Sequence, residues 1–298
     1  MNEMYLCMDV GGTSIKYAVL DKELNFYSRG SVPTPYQGVE TYLDTLTGIF
    51  SSIEEKVQGI AMSVPGVIDG DSGICITGGN LTYVELLPLK KRMEERCHVP
   101  VSVMNDAKCA AFAEATWGAL ADCQDGIVLV FGTGIGGALV KDGEVHQGKH
   151  FGAGEFSWIM MHPEFDNMEA LWARRNGNEE LIRLASRAKG VKQEGLTTFD
   201  VFRWAEEGDE AVLWAIDRFT KDTAWMIMNL QVIYDPERIL IGGGISKQPL
   251  FLEYIRKNLK RFYSLTEGIP VPEPEIMACK YYNDANLIGA LGYFLRKC

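Results

Sequence analysis

The chain has 298 residues, of which 47% are apolar and 23% are charged, and its formal net charge at pH 7 is -11. These fractions are those of a folded globular protein, and they exclude an intrinsically disordered chain. The acidic balance argues against binding to nucleic acid or to anionic membranes through bulk charge. At about 150 residues per domain, the length predicts two domains.

Cysteine usage predicts a reducing compartment. The seven cysteines are scattered and form no C-x-C or C-x-x-C pair, so we expect neither a disulfide framework nor a zinc site. Most of them should be buried as small hydrophobic side chains. The N-terminal residues do not resemble a signal peptide, and the longest weakly polar run, GIVLVFGTGIGGALV, is too short to span a bilayer. We therefore expect a cytoplasmic protein with no membrane partner.

The first predicted element is a hairpin over residues 4–21, MYLCMDVGGTSIKYAVLD. Its apolar run ends at Asp9, Gly11 and Gly12 turn the chain, and the alternation of apolar residues resumes at Ile15. The pattern therefore predicts two antiparallel strands joined by a tight glycine turn.

Two more strands are predicted in the N-terminal half. Residues 57–68, VQGIAMSVPGVI, indicate a buried strand that runs into a Ser-x-Pro-Gly turn. The stretch VPVSVMNDAKCAAFAEATWGALAD predicts a short strand and then an alanine-rich helix that begins at Asn105-Asp106.

A second strand–glycine–strand pattern covers residues 126–143, GIVLVFGTGIGGALVKDG. When Gly11 is laid over Gly132, Asp21 falls on Asp142 and the apolar stretches coincide. Such a repeat suggests two related halves of the chain. Two ordinary glycine turns would give the same pattern, so both interpretations stay open at this point.

Residues 168–233 have helical periodicity. A core-facing stripe is expected on the longest helix, at Leu213, Ile216, Phe219, Thr223 and Met226 to Ile227. Trp225 and Met228 are also predicted to be core residues. After this region ERILIGGGIS predicts a strand that runs into three glycines, and NDANLIGALGYFLRK predicts a closing helix.

Three glycine clusters follow predicted strands, at Gly11-Gly12, at Gly132 to Gly137 and at Gly242 to Gly244. Glycine allows the backbone to approach a ligand closely and to present several N–H groups, as polyphosphate binding requires. The P-loop pattern is absent, and no G-x-G-x-x-G opens a strand–helix unit. A dinucleotide site of an NAD-dependent oxidoreductase is therefore poorly supported.

Asp9 ends a hydrophobic strand directly before the first glycine turn. A carboxylate in this place could hold Mg²⁺, or its waters, against phosphate oxygens. An Asx motif that only stabilises the turn is the alternative. Thr13 and Lys16 add a hydroxyl and a cation nearby, although both could be solvated.

Asp106 follows Asn105 after a strand and precedes a helix. One interpretation is a helix cap with no further role, because Asn and Asp are favoured N-caps. The other is a general base, oriented by Asn105, that accepts a hydroxyl proton during phosphoryl transfer.

Glu155 lies in the glycine-rich stretch FGAGEFSW. A carboxylate beside aromatic residues suits a sugar, whose hydroxyls donate hydrogen bonds while a ring stacks on the apolar face. Trp158 could supply that ring or belong to the core. The four histidines show no metal-binding spacing, so a structural metal is not expected.

Taken in chain order, these motifs resemble those of the ROK family of sugar kinases, which belong to the actin-like ATPase superfamily. The matching segments are DVGGTSIK, SVPGVID, GGNL, NDAKCAAFAE, FGTGIGGALVKDGEVHQG, GAGEF, DPERILIGGGIS and NLIGAL. The resemblance implies an α/β fold of two actin-like ATPase (ribonuclease H-like) domains with a cleft between them. It places the small domain at 1–115 plus 283–298 and the larger domain at 116–282, and it implies a homodimer.

The resemblance also implies roles for individual residues. It makes Asp106 the catalytic base, and it makes Asp9 the Mg²⁺ ligand used with ATP. The residues implied to bind the sugar are Asn80, Asn105, Asp106, Glu155, Trp158 and Glu169. Those implied to bind the nucleotide are Asp9, Gly11, Gly12, Thr13, Lys16, Gly132, Thr133, Gly134, Gly136, Gly243 and Gly244.

The sequence departs from the family pattern in one region. Ser157-Trp158 replace the Gly-His that usually follows the G-E-[IF] motif, and no cysteine lies between Cys123 and Cys279, so the zinc motif C-x-C-G-x-x-G-C is missing. An aromatic residue with no zinc motif is similar to the β-glucoside kinases of the family. The resemblance therefore implies ATP-dependent phosphorylation of the 6-hydroxyl of a β-glucoside, without structural zinc.

Other functions remain possible on the sequence alone. A glucokinase, fructokinase or N-acetylmannosamine kinase of the same family would share these motifs. A catalytically silent sugar-sensing protein on the same fold is the alternative of another class. The family's repressors carry an added DNA reader of about 60–80 residues. Here the first hairpin begins at residue 4, so no nucleic-acid partner is expected.

Overall fold

The computed structural model of the chain describes residues 3–163, 168–265 and 268–297. Contacts group the chain into two compact units. The first unit comprises Met1–Ala121, Glu144–Ala153 and Asn283–Cys298, and the second comprises Asp122–Gly143 and Gly154–Tyr282. The domain limits implied above, 1–115 plus 283–298 and 116–282, stay a prediction.

A five-stranded sheet in the order β3-β2-β1-β4-β7 forms the centre of the first unit. Strands β1, β2 and β3 are antiparallel neighbours, whereas β4 runs parallel to both β1 and β7. The strands are β1 (Met4–Val10), β2 (Ser14–Asp21), β3 (Phe26–Pro33), β4 (Val57–Val64) and β7 (Val101–Asn105). The short strands β5 (Ile68–Asp69) and β6 (Ile74–Cys75) form a separate ribbon, and β10 (Glu144–His146) is grouped with this unit.

Helices cover both faces of this sheet. They are α1 (Val39–Ser52), α2 (Leu89–Cys97), α3 (Asp106–Trp117) and α9 (Ala285–Lys297). Successive residues of β1 point to opposite faces, as the period of a strand requires. Leu6 and Met8 therefore join a core cluster with α1 and α2, while Tyr5 stacks on Phe294 of α9 with the ring centroids 5.3 Å apart.

The strands of the second unit repeat this arrangement. Strand β8 (Gly126–Phe131) is antiparallel to β9 (Ile135–Lys141) and parallel to β11 (Arg238–Gly242), which is parallel to β12 (Glu275–Ala278). The order β9-β8-β11-β12 matches the order β2-β1-β4-β7 of the first unit. Both hairpins predicted from the glycine patterns are thus confirmed, and the shared strand order supports two related halves over two unrelated turns.

The helices of the second unit are α4 (Trp172–Asn176), α5 (Asn178–Lys189), α6 (Thr198–Glu206), α7 (Glu210–Tyr234) and α8 (Pro249–Leu265). On α7 the predicted stripe is confirmed at its buried members, whereas Leu213 is only partly buried. The buried members are Ile216, Phe219, Thr223, Met226 and Ile227. The prediction that Trp225 belongs to the core was wrong, because it is 44% exposed. Helical periodicity places it on the face opposite Ile216 and Phe219.

The cysteines are buried, as their scattered pattern predicts. Cys7, Cys75, Cys109 and the other described cysteines are free thiols. Burial raises the pKa of the Cys75 thiol to about 12 and also raises that of Cys7. Cys298 lies outside the described residues. In the described part of the chain, no helix is both long and apolar enough to cross a bilayer.

Helices α3 and α9 approach each other closely at Gly289. A Cβ atom on Gly289 would lie 1.6 Å from the carbonyl oxygen of Cys109, a backbone atom that cannot move aside. Gly48, in the middle of α1, has open space around it instead.

We predict that Gly289→Ala lowers the free energy of unfolding by about 2 kcal/mol or more, because α9 must move away from α3. Gly48→Ala is the control and should raise it by about 0.5–1 kcal/mol through helix propensity. Urea denaturation of both variants measures the difference. Equal stability of the Gly289 variant and the wild type would contradict a close α3–α9 contact.

Candidate active site

The first glycine loop joins β1 to β2. The N–H of Gly11 donates to the carbonyl of Ser14 at 3.0 Å and closes the loop. Gly12 and Thr13 are exposed at its tip. Within the described residues, neither the Gly12 N–H nor the Thr13 N–H donates a hydrogen bond. Both are therefore available to an anion, which adjacent backbone N–H groups bind well.

Asp9 lies at the start of this loop, where three elements meet. Its Oδ1 accepts hydrogen bonds from Ser63 Oγ of β4 and from Asn286 Nδ2 of α9, both at 2.9 Å. Lys16 lies opposite Asp9 in the β1–β2 register. Burial raises the pKa of the Asp9 carboxyl above its usual value, while the bonds from Asn286 and Ser63 and the charge of Lys16 act in the opposite direction. The carboxylate is thus held in place, but its hydrogen bonds and the charge of Lys16 do not fully offset the effect of burial on its pKa.

The donor set around Asp9 fits magnesium held together with a nucleotide. Both hydrogen bonds go to Oδ1, and within the described residues Oδ2 accepts none. The described residues contain no cluster of three or more His, Cys, Asp or Glu side chains that could hold a metal by itself. Mg²⁺ is commonly bound through one or two carboxylates, with waters and phosphate oxygens as its other ligands.

Asn105 and Asp106 lie where β7 passes into α3. Asn105 is the N-cap, since its Oδ1 accepts the N–H of Lys108 at 3.0 Å. Its Nδ2 donates to Asp106 Oδ1 at 3.0 Å, and the N–H of Ala107 donates to the same oxygen at 2.8 Å. Asn105 therefore both caps the helix and orients the Asp106 carboxylate. The general-base hypothesis requires this orientation.

Asn80 is exposed at the end of the turn Gly78-Gly79. This turn lies against Gly66, since a Cβ on Gly66 would be 2.9 Å from the N–H nitrogen of Gly79. The carbonyl of Gly66 in turn accepts a hydrogen bond from Asn105 Nδ2 at 2.9 Å. The structure thus connects the turn that carries Asn80 to the Asn105–Asp106 pair through Gly66.

The second glycine loop, in the second unit, joins β8 to β9. The N–H of Gly132 donates to the carbonyl of Gly134 at 2.9 Å. The carbonyl of Gly132 accepts the N–H of Asn178 at 2.8 Å, so the start of α5 lies behind the loop. A Cβ on Gly177 would lie 2.2 Å from the carbonyl of Thr133, which makes this contact tight. Gly136 lies further along, inside β9.

Gly243 and Gly244 follow β11 in the same unit. Gly243 has a positive φ of 85°, and a Cβ there would lie 2.0 Å from the carbonyl of Phe131, the last residue of β8. Only glycine fits this position without strain. The structure therefore brings two sets of predicted nucleotide-binding residues together, the Gly132–Gly134 loop and Gly243-Gly244.

Glu155 and Trp158 lie at the two ends of one short helical turn. The N–H of Trp158 donates to the carbonyl of Glu155 at 3.2 Å, and Phe156 between them is buried. The Trp158 side chain is 63% exposed, which excludes the alternative that it is a core residue. An exposed indole beside a carboxylate is a surface on which a sugar ring could stack.

Glu169 is exposed in the short helical turn Met168–Ala170. Its charge contributes to raising the pKa of the Arg183 guanidinium, although Glu180 contributes more. Residues 164–167, which precede this turn, lie outside the described residues. A role of Glu169 in sugar binding stays a prediction.

The sequence reasoning missed Ser63 and Asn286, the two partners of Asp9. Both lie inside motifs that were singled out, SVPGVID and NLIGAL, but neither side chain has a pattern of its own. The parallel register that places Ser63 beside Asp9 is a long-range feature. A polar residue in the first turn of an otherwise apolar closing helix was the available signal for Asn286.

The family model of the ROK family matches residues 5–297, so the chain belongs to the ROK family. The fold class implied by the motifs, an α/β protein with an actin-like ATPase fold, is confirmed.

Individual relatives are sugar kinases or ROK proteins studied with sugars. A β-glucoside kinase of Klebsiella pneumoniae is 29% identical over 96% of this chain and 94% of its own length. A ROK family protein of Streptococcus pneumoniae, solved in complex with sucrose, has a TM-score of 0.88 and 29% identity, and covers 99% of this chain and 98% of that one. A ROK glucokinase of Streptomyces griseus, solved with glucose and AMPPNP, has a TM-score of 0.84 and 25% identity, with coverages of 96% and 97%.

We predict that Asp9→Asn stabilises the protein in the absence of ligands, and that the gain grows with pH. The pKa of the Asp9 carboxyl is higher in the folded state than in the unfolded state. The stabilisation from this carboxyl is therefore complete below its unfolded-state pKa and is lost as the pH rises through its folded-state pKa. An amide keeps an oxygen for Ser63 and Asn286 but carries no charge. Urea denaturation at pH 4 and pH 8 measures the difference.

Asp21→Asn is the control for this prediction. Asp21 is fully buried, and its Oδ2 accepts bonds from Tyr27 at 2.8 Å and from Asn25 at 2.9 Å, which an amide nitrogen cannot accept. This variant should be less stable than the wild type. A loss of stability in Asp9→Asn at pH 8 would contradict the burial argument.

Proposed function

We propose that the protein is an ATP- and Mg²⁺-dependent sugar kinase that phosphorylates the 6-hydroxyl of a β-glucoside. The observation that carries this proposal is the Asp106 carboxylate at the start of α3. One of its oxygens is fixed by Asn105 and by the Ala107 N–H, as a general base that must point at one hydroxyl requires.

Relatives support the nucleotide and the sugar. The Streptomyces griseus glucokinase was solved with glucose and the ATP analogue AMPPNP, and curated relatives are a β-glucoside kinase, a glucokinase and an N-acetyl-D-glucosamine kinase. All of these are sugar kinases, but they act on different sugars. They therefore support phosphoryl transfer to a sugar more strongly than they support any particular sugar.

In the proposed reaction, Asp106 accepts the proton of the sugar's 6-hydroxyl while that oxygen attacks the γ-phosphorus of ATP. A new O–P bond forms, the bond from the γ-phosphorus to the β,γ-bridging oxygen breaks, and ADP leaves. The free N–H groups of Gly12 and Thr13 bind phosphate oxygens. Asp9 would hold Mg²⁺, which would supply positive charge beside the phosphates. Glu155 and Asn80 orient the sugar by accepting and donating hydrogen bonds to its hydroxyls.

The exposed Trp158 favours a glycoside over a free sugar. The family usually has a histidine here, which would bond a free 1-hydroxyl. In a β-glucoside the anomeric oxygen carries a second group and has no proton to donate, so an aromatic surface is the better partner. Glucokinase, fructokinase and N-acetylmannosamine kinase activities are the alternatives within the family.

We predict that the wild type releases ADP with cellobiose, gentiobiose and aryl β-glucosides, and does so faster than with glucose, fructose or N-acetylmannosamine. A coupled assay of ADP release over this panel measures the difference. Reaction with free monosaccharides alone would contradict the glycoside proposal. Sugar binding by calorimetry without sugar-dependent ADP release would instead indicate a silent sugar-binding protein.

The control for the catalytic role is a pair of matched variants. Asp106→Asn keeps an oxygen for both donors but cannot accept the proton, so turnover should fall by about 10²–10⁴-fold while sugar affinity changes little. Glu210→Gln makes the same change at the first residue of α7 and should leave turnover unchanged. Near wild-type turnover of the Asp106 variant would show that another group is the base.

We further propose that the protein is a homodimer that pairs through α7. This helix has an exposed apolar face, at Trp214, Trp225, Val232 and Ile233, whose side chains are 60%, 44%, 53% and 79% exposed. Large exposed apolar side chains on one face of a helix commonly mark an interaction site. Arg218 and Lys221 lie between Trp214 and Trp225 on this face, and the four residues have the 4-3-4 spacing of a helix–helix seam.

A twofold antiparallel pair of α7 helices gives each of these residues a suitable partner. If the axis lies near residue 223, Trp214 faces the partner's Val232, and Lys221 faces the partner's Trp225 in a cation–π contact. The same patch serves both copies, as a twofold interface requires.

We predict that the wild type sediments at twice the chain mass of 33.2 kDa and that Trp225→Lys sediments as a monomer. A lysine at position 225 would face the partner's Lys221, and two like charges brought together in an interface would break the pair. Val191→Lys, at another exposed apolar residue of the second unit, is the control and should stay dimeric. A monomeric wild type, or a dimeric Trp225 variant, would contradict this interface.

The remaining expectations from the sequence are also proposals. We propose that the protein acts in the cytoplasm, that it has no structural zinc site and no nucleic-acid partner, and that its domains have the limits 1–115 plus 283–298 and 116–282. The missing zinc motif supports the second of these, and the net charge of -11 supports the third.

A further inference from the structure

The residues between β3 and α1 run along one side of the first glycine loop. The backbone N–H of Thr34 donates to the carbonyl of Thr13 at 3.1 Å, and its Oγ1 donates to the carbonyl of Gly11 at 2.7 Å. The hydroxyl of Tyr36 donates to the carbonyl of Gly12. Three successive carbonyls of the loop are therefore bonded to this one segment, which we call the 34–37 segment.

These bonds fix the direction of the loop's N–H groups. A peptide unit is planar and, in this structure, trans throughout the described residues, so its C=O and N–H point in opposite directions. The carbonyls of Gly11 and Gly12 point toward the 34–37 segment. The N–H groups of Gly12 and Thr13, which belong to the same two peptide units, must therefore point away from it. These are the two N–H groups that have no protein acceptor among the described residues.

We propose that Thr34 and Tyr36 are positioning residues that aim the N–H groups of Gly12 and Thr13 at a phosphate of the nucleotide. Neither side chain needs to contact the nucleotide. Without these bonds, the glycine-containing peptide units could rotate, and ordering them would reduce the free energy of phosphate binding. The inference rests on the proposed function only in assuming that the loop's ligand is a nucleotide phosphate.

The environments of the two side chains differ in a way that fits this role. Thr34 is 7% exposed, so its hydroxyl has few alternatives to the Gly11 carbonyl. Tyr36 is 58% exposed, and its hydroxyl could bond water equally well, so its bond to Gly12 adds little to overall stability. The position of Tyr36 is better explained by its bond to the Gly12 carbonyl, which orients the loop.

A second tyrosine, Tyr83, also contacts the 34–37 segment. The hydroxyl of Tyr83 donates to the carbonyl of Pro35 at 2.5 Å, and its ring contacts the Tyr36 ring edge-on at 6.4 Å. Tyr83 also packs on the buried Tyr42 of α1 at 5.9 Å. Because Tyr83 follows Asn80 by three residues, the segment that carries the proposed sugar ligand also supports the residues that orient the phosphate loop.

The test is the affinity for AMPPNP, measured by calorimetry on the full chain. Tyr36→Phe keeps the ring and removes the hydroxyl, and Thr34→Val keeps the shape and removes the hydroxyl. Each should weaken AMPPNP binding by roughly three- to tenfold, as expected for one lost hydrogen bond. Adenosine, which has no phosphate, should bind as tightly as to the wild type. Thr34→Ser keeps a hydroxyl at this position, so its affinity for AMPPNP should stay within about twofold of that of the wild type.

Tyr27→Phe is the matched control, because Tyr27 is another exposed tyrosine of the same unit whose hydroxyl bonds the Asp21 carboxylate. It should leave AMPPNP affinity unchanged. Equal affinity of the wild type and Tyr36→Phe for AMPPNP would overturn the inference, and so would an equal loss for adenosine. A wild type that binds AMPPNP but transfers no phosphate would refute the proposed function and leave this comparison intact. A wild type that does not bind AMPPNP would overturn both.

The role of Tyr83 is tested by a double-mutant cycle. If Tyr83 acts through Pro35 and Tyr36, then Tyr83→Phe weakens AMPPNP binding alone but has no further effect in the Tyr36→Phe background. Fully additive effects would show that Tyr83 does not act through this segment.

Discussion

The hydrogen bonds to the Asp9 carboxylate are the interaction on which the first unit depends. One oxygen joins β1 to β4 through Ser63 and to α9 through Asn286. The same residue begins the glycine loop, so the register of two strands and the position of a helix together set where that loop starts. Burial raises the pKa of this carboxyl, so ionising it costs free energy. A cation bound with the nucleotide, as proposed above, would offset that cost.

The two units share a strand order but support their glycine loops differently. In the first unit, side chains of Thr34 and Tyr36 bond the loop's carbonyls. In the second, the start of α5 lies behind the loop, and a backbone N–H of Asn178 bonds the carbonyl of Gly132. Substitution of Thr34 or Tyr36 can remove its side-chain bond, whereas at position 178 only proline would remove the backbone donor. The two halves therefore share the hairpin and differ in what holds it.

Local patterns predicted much of this architecture. Turn and cap chemistry acts within a few residues, so it can be recognised in a short stretch of sequence. It located the glycine turns at 11–12 and 132–134 and the helix start at Asn105-Asp106. Helical periodicity also located the buried stripe of α7. The wrong prediction for Trp225 rested on its residue type, since the same periodicity places Trp225 on the face opposite Ile216.

What the sequence could not predict are contacts between distant segments. Ser63 and Asn286 meet Asp9 only because a parallel strand pair and the last helix bring them there. Thr34 and Tyr36 have the sequence pattern of an ordinary loop, and their bonds to Gly11 and Gly12 are visible only in the structure. In each case the residue type is common and the neighbour is far away in the chain, so no short motif marks it.

The separation between Asp9 and Asn286 has a consequence for how the protein matures. The two residues are 277 positions apart, so we expect this contact to form after the local contacts of the first unit. During synthesis from the N-terminus, the sheet of the first unit can pair long before α9 is available. A chain that stops before residue 286 would lack one of the two donors to the Asp9 carboxylate. The proposed phosphate loop would therefore reach its full set of supporting contacts only after residue 286 has been synthesised.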